Sequence, residues 1–279
     1  MESATGPDYG YLRQLVFDRS QNVLDPSRDY LFDTRLSRIL RNQGLSRLDE
    51  LVRQLRAQKN PALENAVAEA MTINETSFFR DRRPFDLLRQ ELLPRLIEAR
   101  RHMRTLRFWS AACSTGQEAY SLAMLLLEYF PMLVGWTLTI EGTDLNAEVV
   151  ARAQVGRYHR IEINRGLPAR FVVRYFDHVG EDWIVKPEVR RLCSFRQANL
   201  CGPRPTFQRA SDRFDVVFLR NVMLYFAQET RTALLADTHR LLLPDGILIL
   251  GCGEQPSDPT LWNPVLAGGT SYYRPRQAS

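Results

Sequence analysis

The sequence has no long hydrophobic run, no closely spaced cysteine pair and almost no lysine. No stretch approaches the ~20 uninterrupted apolar residues that a transmembrane helix needs. The first residues are polar and acidic, where a secretory signal peptide would be basic and then apolar. The four cysteines form no C-x-x-C pair and the four histidines are dispersed, which argues against a zinc site or a disulfide framework. We therefore expect a soluble intracellular protein without a metal.

The positive charge of the chain comes almost entirely from arginine. The 279 residues include 37 basic and 32 acidic side chains, a net charge of +5, and Lys59 and Lys186 are the only lysines. A GC-rich genome is one interpretation of this bias. The other is that some arginines bind carboxylate or phosphate groups bidentately, which lysine does less well. Composition alone leaves anionic partners of every kind open.

The first ~70 residues predict helices alone, because their apolar side chains recur at helical spacing. One helix is expected over residues 29–43. A second begins after Ser46, with Asp49 as its capping-box partner, and a third begins at Asn60-Pro61. We predict an all-helical domain over residues 1–73. Its arginine-rich face is formed by Arg35, Arg38, Arg41, Arg53 and Arg56.

After Arg80, short apolar strands alternate with helices. The expected strands are Leu106–Ser110, Trp136–Glu141, Asp215–Leu219 and Ile247–Leu250. This alternation predicts an α/β fold with a parallel, doubly wound sheet in a second domain over residues 74–279. An aromatic and basic segment over about residues 156–197 interrupts the alternation. We interpret it as a small antiparallel insertion, with candidate strands at Trp183-Ile-Val and Cys193-Ser-Phe.

A turn of small residues and an acidic residue follow the first two strands. The segment 108–118 lets a ligand approach the backbone closely, although a plain tight turn explains it as well. Asp144 ends the second strand, where an acidic residue commonly accepts hydrogen bonds from ribose. The alternative is that Asp144 caps the next helix, a role that Asn146 can take instead. Because no G-x-G-x-x-G motif is present, a nucleoside is favoured over a dinucleotide, with S-adenosylmethionine (SAM) as the leading candidate.

Two further stretches carry unusual chemistry. Residues 72–81 join the two domains and are rich in hydrogen-bonding side chains. If this segment is only the capped start of a helix, its phenylalanines are explained as residues of the domain interface. Its polar side chains are not, whereas a junction that faces a ligand would explain them. Residues 218–226 follow the fourth parallel strand, where many methyltransferases hold the methyl acceptor. The absence of an Asn/Asp-Pro-Pro-aromatic motif and of a Pro-Cys nucleophile argues against a nucleic-acid methylase. A Pro244-Asp-Gly turn before an apolar strand is similar to one found in class I SAM methyltransferases.

Together these stretches resemble the CheR family of chemotaxis receptor methyltransferases. The resemblance extends over nearly the whole chain and is carried by Asn74–Asp81, Trp109–Glu118 and Arg220–Phe226. It implies transfer of the SAM methyl group to glutamate side chains on the cytoplasmic helices of chemoreceptors. The products would be glutamyl methyl esters and S-adenosylhomocysteine (SAH). It also implies an N-terminal all-helical domain, a linker over residues 74–83 and a Rossmann-like class I SAM methyltransferase domain with an inserted antiparallel β-subdomain.

The same resemblance implies which side chains meet the cofactor. The expected cofactor-binding residues are Asn74, Thr76, Arg80, Glu118, Asp144, Asn199, Leu200, Arg220 and Asn221. Among them, Glu118 would hold the methionine end and Asp144 the ribose. Asn199 and Leu200 would flank the adenine.

Arg80 and Tyr225 are the catalytic pair that the resemblance implies. A glutamate side chain is already ionised at neutral pH, so the nucleophile needs positioning rather than a general base. The Arg80 guanidinium could orient the carboxylate and the Tyr225 hydroxyl could fix its second oxygen. The arginine-rich face would dock on acidic receptor helices, with a merely solvated face as the alternative. Family members that bind a pentapeptide tether on the receptor tend to have a longer, glycine-containing loop at segment 175–183. The resemblance therefore implies that this enzyme, whose segment is short, needs no tether.

We expect a monomer in the bacterial cytoplasm that associates with membrane-bound receptor arrays. It is expected to insert into no membrane and to bind neither nucleic acid nor metal. Two alternatives remain. One is a class I SAM methyltransferase for another carboxylate acceptor, and the other is a non-catalytic module that binds SAM or SAH.

Overall fold

The computed structural model describes residues 6–202, 213–256 and 258–276, which fall into two compact units. The first unit contains the chain up to Ile73 together with Leu224–Arg231, and the second contains Asn74–Met223 and the residues from Thr232 onward. From the sequence, residues 224–231 were expected in the second domain. The structure groups them with the first unit, where the Val23 N–H donates to the Tyr225 carbonyl at 2.8 Å.

The first unit is built from helices around one apolar core. Its helices, apart from residues 224–231, are α1 (Gly6–Ser20), α2 (Tyr30–Arg35), α3 (Ser37–Asn42), α4 (Leu48–Ala57) and α5 (Pro61–Ala70). Leu12, Phe32 and Leu51 lie fully buried where these helices meet. The expected cap at Asn60 is confirmed, since its side chain accepts the Leu63 N–H at 3.1 Å.

Two details of the predicted helices were wrong. The helix expected over residues 29–43 is divided at Leu36 into α2 and α3. There the Ser37 hydroxyl donates to the Thr34 carbonyl at 2.8 Å, a local bond that competes with the regular helical bonds. The N-terminus of α4 is also closed differently. The carboxylate of Glu50, rather than that of Asp49, accepts the N–H groups of Ser46 and Arg47 at 2.9 and 3.0 Å.

The second unit contains a seven-stranded mixed sheet and a separate three-stranded sheet. The strands are β1 (Thr105–Ala111), β2 (Thr137–Asp144), β3 (Arg157–His159), β4 (Phe176–Val179), β5 (Asp182–Val185), β6 (Cys193–Gln197), β7 (Phe214–Leu219), β8 (Leu242–Leu250), β9 (Trp262–Ala267) and β10 (Thr270–Pro275). The main sheet has the order β6-β2-β1-β7-β8-β10-β9. Its first five strands are parallel, whereas β10 pairs antiparallel with both β8 and β9. Parallel pairing was expected for β1, β2, β7 and β8 but not for β6.

Helices alternate with strands along the chain, as in a doubly wound fold. They are α6 (Arg83–Leu87), α7 (Leu93–Arg100), α8 (Gln117–Tyr129), α9 (Ala147–Val155), α10 (Arg160–Asn164), α11 (Ala169–Tyr175), α12 (Pro187–Arg190) and α13 (Gln228–Leu241). A π-helical stretch, Leu88–Leu92, joins α6 to α7. Nine residues of helix α8 are buried.

The antiparallel insertion is confirmed, but one of its strands was misplaced. The small sheet has the order β3-β5-β4, and β5 contains the predicted Trp183-Ile-Val. Cys193–Gln197, expected in the insertion, instead pairs parallel with β2 at the edge of the main sheet. The physical reason is the contact between Phe195 and Gly142. A Cβ on Gly142 would lie only 2.5 Å from the Phe195 ring, so the missing side chain leaves room for that ring.

The Pro244-Asp-Gly turn takes part in an ion-pair network that joins α7 to β7 and β8. Arg100, which is 7% exposed, donates to Asp215 at 2.7 Å and to both oxygens of Asp245 at 2.5 and 2.8 Å. The bond from Arg100 lowers the pKa of Asp245, while burial raises the pKa of Asp215. Asp245 precedes Ile247 and therefore lies at the opposite end of β8 from the loop that begins at Gly251.

Within the described ranges, no helix is long and apolar enough to cross a membrane. The same residues contain no group of three or more histidine, cysteine, aspartate or glutamate side chains that could hold a metal ion.

Candidate active site at the carboxyl edge of the sheet

The predicted site residues of the second unit gather where the parallel strands end. The carboxyl ends of β1, β2, β6, β7 and β8 share one edge of the main sheet, which is where open α/β sheets bind ligands. Asp144 ends β2, Asn199 and Leu200 follow β6, and Arg220 with Asn221 follow β7.

The turn after β1 is fastened to the end of β2. One carboxylate oxygen of Asp144 accepts the Ser114 N–H at 2.8 Å and the other accepts the Asn146 N–H at 3.0 Å. Asn146 caps α9 by accepting the N–H groups of Glu148 and Val149. The prediction that Asn146, rather than Asp144, takes this role is confirmed. Asp144 is only 6% exposed, so its carboxylate is fixed by the fold.

Close backbone packing explains the small residues of this turn. Gly116 has a φ of +92°, and a Cβ there would lie 2.9 Å from that of Ala153. Cys113 in the same turn is buried, and burial raises the pKa of its thiol well above the ordinary value. Burial therefore favours the neutral thiol.

Arg220 is the centre of a charged network. It is almost completely buried, and its guanidinium donates to Glu118 at 3.0 Å and to Asp81 at 2.7 Å. It also donates to the backbone carbonyl of Arg80 at 3.0 Å. Glu118 in turn accepts the Ser110 hydroxyl at 2.7 Å. The guanidinium thus joins the end of β7, the first turn of α8 and the linker. Its Nε is buried without a hydrogen-bond partner among the described residues.

The start of the linker is bonded to the turn after β1, and its middle is bonded to α8. The Asn74 carbonyl accepts the Ser114 hydroxyl at 2.8 Å, and the Phe79 N–H donates to the Ser121 hydroxyl at 2.9 Å. The Arg80 side chain donates to the Glu75 carbonyl at 2.9 Å. The linker therefore has a defined path past the sheet edge.

Backbone strain is concentrated in these same segments. Among the residues that the structure describes, eight non-glycine residues have a positive φ. Six of them lie in the linker, in the turn after β1 or directly after β7: Phe79, Asp81, Arg82, Ala112, Ser114 and Asn221. Each such residue costs about 1–3 kcal/mol and persists only where its surroundings hold it, a situation that is common at active sites.

Glu254 is a residue of this edge that the sequence analysis missed. It is 8% exposed and accepts three backbone N–H groups. One oxygen accepts those of Gly251 and Asn221 at 2.8 and 2.7 Å, and the other accepts that of Met223 at 2.9 Å. A Cβ on Gly251 would lie 2.7 Å from the backbone nitrogen of Asn221 and 2.5 Å from the Glu254 carboxylate, so this position favours glycine. Glu254 thereby joins the loop after β7 to the loop after β8. Its bond to Met223 lies two residues before Tyr225 in the chain. No pattern in Gly251-Cys-Gly-Glu254 indicated this role.

The remaining predicted residues are distributed as follows. Asn74 and Thr76 line a cleft of about 430 Å³ whose wall also includes Thr115 and Asn146. Asn199 turns the chain after β6, where its side chain accepts the Cys201 N–H at 3.0 Å. Tyr225 is half-buried at the end of a short 3-10 helix and belongs to the first unit.

The arginine-rich face of the first unit is less uniform than the sequence suggested. Arg35 donates to the carbonyls of Met71 and Thr72, each at 3.0 Å, and so closes the end of α5. The other four arginines are exposed, Arg38, Arg41, Arg53 and Arg56.

Comparison with known proteins agrees with this architecture. The family model for the SAM-binding domain of CheR methyltransferases matches residues 74–268, and the model for their all-alpha domain matches residues 7–72. Chemotaxis protein methyltransferase 1 of Pseudomonas aeruginosa is 38% identical over 256 residues, covering 90% of this chain and 91% of the relative.

Two further relatives have similar coverage. Chemotaxis protein methyltransferase Cher2 of Pseudomonas putida is 37% identical and covers 83% of this chain and 84% of its own length. Chemotaxis protein methyltransferase of Salmonella typhimurium is 34% identical, with 88% and 82% covered. The chain therefore belongs to the CheR methyltransferase family and is a SAM-dependent methyltransferase.

Proposed function

We propose that this enzyme transfers the SAM methyl group to glutamate side chains on the cytoplasmic helices of chemoreceptors. The products are glutamyl methyl esters and SAH. The observation that carries the proposal is the match of this chain to both CheR family models. The bond from Arg220 to the Arg80 carbonyl, which connects the linker to the sheet edge, agrees with it. The curated relatives are named chemotaxis protein methyltransferases, which supports a chemoreceptor as the substrate.

The side chains at the sheet edge suit the mixed charge of SAM. The Glu118 carboxylate accepts two hydrogen bonds, of the roughly four that a carboxylate can accept, and is suited to the ammonium of the methionine end. The buried, unpartnered Nε of Arg220 is a donor within the same network. The cofactor-binding set that we propose is Asn74, Thr76, Arg80, Glu118, Asp144, Asn199, Leu200, Arg220 and Asn221. Bound SAM would supply a methyl group attached to a positively charged sulfur. A carboxylate oxygen can bond to the methyl carbon as the sulfur leaves in SAH.

Arg80 and Tyr225 are the side chains to which we assign the acceptor. A glutamate is ionised well below neutral pH, so neither residue has to remove a proton. The planar guanidinium of Arg80 can orient the carboxylate by paired hydrogen bonds, and the Tyr225 hydroxyl can donate to its second oxygen. Esterification removes the negative charge of the acceptor. The product therefore interacts more weakly with Arg80, which favours its release.

Substrate docking is assigned to the exposed part of the arginine-rich face. Arg38, Arg41, Arg53 and Arg56 provide positive charge that complements an acidic receptor helix. The hairpin between β4 and β5 turns within Gly180 and Glu181, and its shortness supports action without a pentapeptide tether. We propose that the enzyme acts as a monomer in the bacterial cytoplasm at receptor arrays.

The proposal is tested with methyl-labelled SAM and membranes that contain chemoreceptors of the host. We expect label on a receptor-sized band that mild alkali releases as volatile methanol, which is the behaviour of a carboxyl methyl ester. Arg80→Ala and Tyr225→Phe should abolish most of this label, and Tyr225→Phe should retain SAH binding. Label that survives alkali would indicate N- or C-methylation and would contradict the proposal.

A further inference from the structure

A second cleft, of about 310 Å³, lies in the second unit and includes none of the predicted site residues. It is within the size range of ligand pockets. Its walls combine three arginines with aromatic rings that contact one another. We call it the arginine–aromatic cleft and define it by Arg82, Arg89, Arg170, Phe79, Tyr129 and Phe171.

Positive charge in this cleft is poorly compensated. The guanidinium carbons of Arg89 and Arg170 lie 4.8 and 5.4 Å from the centroid of the same Tyr129 ring. The ring attracts both cations, but the two cations repel each other. Asp86 is the one acidic residue among those that line the cleft, and it lies 3.7 Å from Arg89. An anion bound between the arginines would relieve this repulsion.

The acidic residue that is adjacent to Tyr129 in the sequence is already paired elsewhere. Glu128 precedes Tyr129 in the chain, but its carboxylate pairs with Arg174 at 3.0 Å and accepts the Tyr175 hydroxyl at 2.9 Å. Arg82 is exposed and its side chain forms no hydrogen bond or ion pair with the residues that the structure describes. The cleft therefore retains cationic donors for an outside partner.

The geometry of the arginines favours carboxylates. Arg170 lies over the rings of both Tyr129 and Phe171, at 5.4 and 5.2 Å. One N–H group of Arg170 donates to the Tyr129 hydroxyl. The other N–H groups along the guanidinium edge remain available to bind a carboxylate. We propose that the arginine–aromatic cleft is a second docking site for the acidic helix that carries the methyl-accepting glutamate. This inference rests on the proposed function.

The linker connects this cleft to the catalytic assignment. Phe79 forms part of the cleft wall and directly precedes Arg80. Its φ is +49° and its N–H is fixed to Ser121, so the wall and Arg80 belong to one constrained segment. A helix whose carboxylates occupy the cleft would therefore contact the segment that carries Arg80. The cleft contributes to substrate affinity, not to the methyl-transfer step.

The test uses the double variant Arg82→Gln/Arg170→Gln, which removes two exposed charges. The matched control is Arg95→Gln/Arg101→Gln, because both of these arginines are also exposed, at 63% and 62%. A synthetic glutamate-rich helical peptide is titrated into each full-length protein with SAH present, and KM and kcat are measured with receptor membranes. We expect the cleft variant to weaken peptide binding and raise KM by about tenfold or more, the value of one lost charged hydrogen bond. Its kcat and SAH affinity should match those of the wild type.

Two outcomes would overturn the inference. One is unchanged peptide affinity in the cleft variant, or an equal loss in the control variant. The other is arginine-dependent binding of inorganic phosphate, used as a competitor, without binding of the peptide. The peptide titration requires no turnover, so it remains decisive even if receptor methylation itself fails. Failure of the proposed function is detected separately, as wild-type enzyme that leaves no alkali-labile label on receptors.

Discussion

Replacement of Glu254 by glutamine tests how the sheet edge positions the segment that leads to Tyr225. The two oxygens of Glu254 accept three N–H groups: Gly251 and Asn221 share one oxygen, and Met223 bonds to the other. Glutamine has one acceptor oxygen and one amide that can only donate. If its oxygen keeps the pair of bonds, its amide faces the Met223 N–H, and a buried donor is left without an acceptor.

The expected cost follows from this geometry. One charge-assisted hydrogen bond is lost and one buried donor is unsatisfied, so Glu254→Gln should destabilise the fold by about 2–3 kcal/mol. The lost bond is two residues before Tyr225. A displacement of about 1 Å at a reacting group can lower a rate by about a hundredfold, so kcat should fall by one to two powers of ten. The SAH affinity should fall less, because the Asn221 bond is retained.

The assay compares Glu254→Gln with Asp245→Asn, which loses an ion pair at the opposite end of β8. Both variants are assayed well below their melting temperatures, and Glu254→Asp is included to restore the carboxylate. A positioning role predicts low kcat for Glu254→Gln, partial recovery for Glu254→Asp and nearly normal kcat for Asp245→Asn. Equal activity losses in Glu254→Gln and Asp245→Asn would refute the reasoning. They would show that Glu254 affects activity only through the stability of the fold.

Three further predictions concern the network, the strand packing and the ion pair. Arg220→Lys should lower SAH affinity by about tenfold in calorimetry, because one ammonium cannot bond Glu118, Asp81 and the linker carbonyl together; affinity equal to that of the wild type would contradict this. Gly142→Ala should cost about 1–3 kcal/mol through overpacking against Phe195, and Phe195→Ala in the same chain should recover part of it in a double-mutant cycle. Strict additivity of the two changes would exclude the contact. Asp245→Asn should destabilise by only about 1 kcal/mol, since Asp245 is half-exposed. Because Arg100 lowers the folded pKa of Asp245, the wild-type advantage is complete above the unfolded value of about 3.9 and disappears as pH falls through the folded value. Melting temperatures across that range check the sign.

Local patterns were sufficient for most of the fold. Strands β1, β2, β7 and β8, helix α8 and the Asn146 cap were predictable because each depends on hydrophobic periodicity or on a side chain beside the backbone that it caps. The Gly268-Gly269 pair between β9 and β10 is a hairpin signal that could have revealed these two strands. Short aromatic strands are different. Strands β5 and β6 each carry one aromatic residue, and neither sequence specifies which sheet the strand joins.

The candidate site was predictable in its residues but not in its connections. Glu118, Asp144 and Arg220 were identified, yet the pairing of Arg220 with Asp81 depends on side chains that are 139 residues apart in the chain. Glu254 acts only through backbone N–H groups of another loop, which no sequence pattern specifies. Arg35 was grouped with exposed arginines by helical spacing, whereas it bonds to carbonyls at the end of α5.

The central claim is that the acceptor is a receptor glutamate, held by Arg80. The most direct measurement is peptide mapping by mass spectrometry of a chemoreceptor after reaction with wild-type enzyme and with Arg80→Ala. We predict methyl esters on glutamate side chains of the cytoplasmic helices with the wild type, and near-background levels with Arg80→Ala despite normal folding. A methyl group on a nitrogen-bearing side chain, or unchanged glutamate esters with Arg80→Ala, would contradict the account.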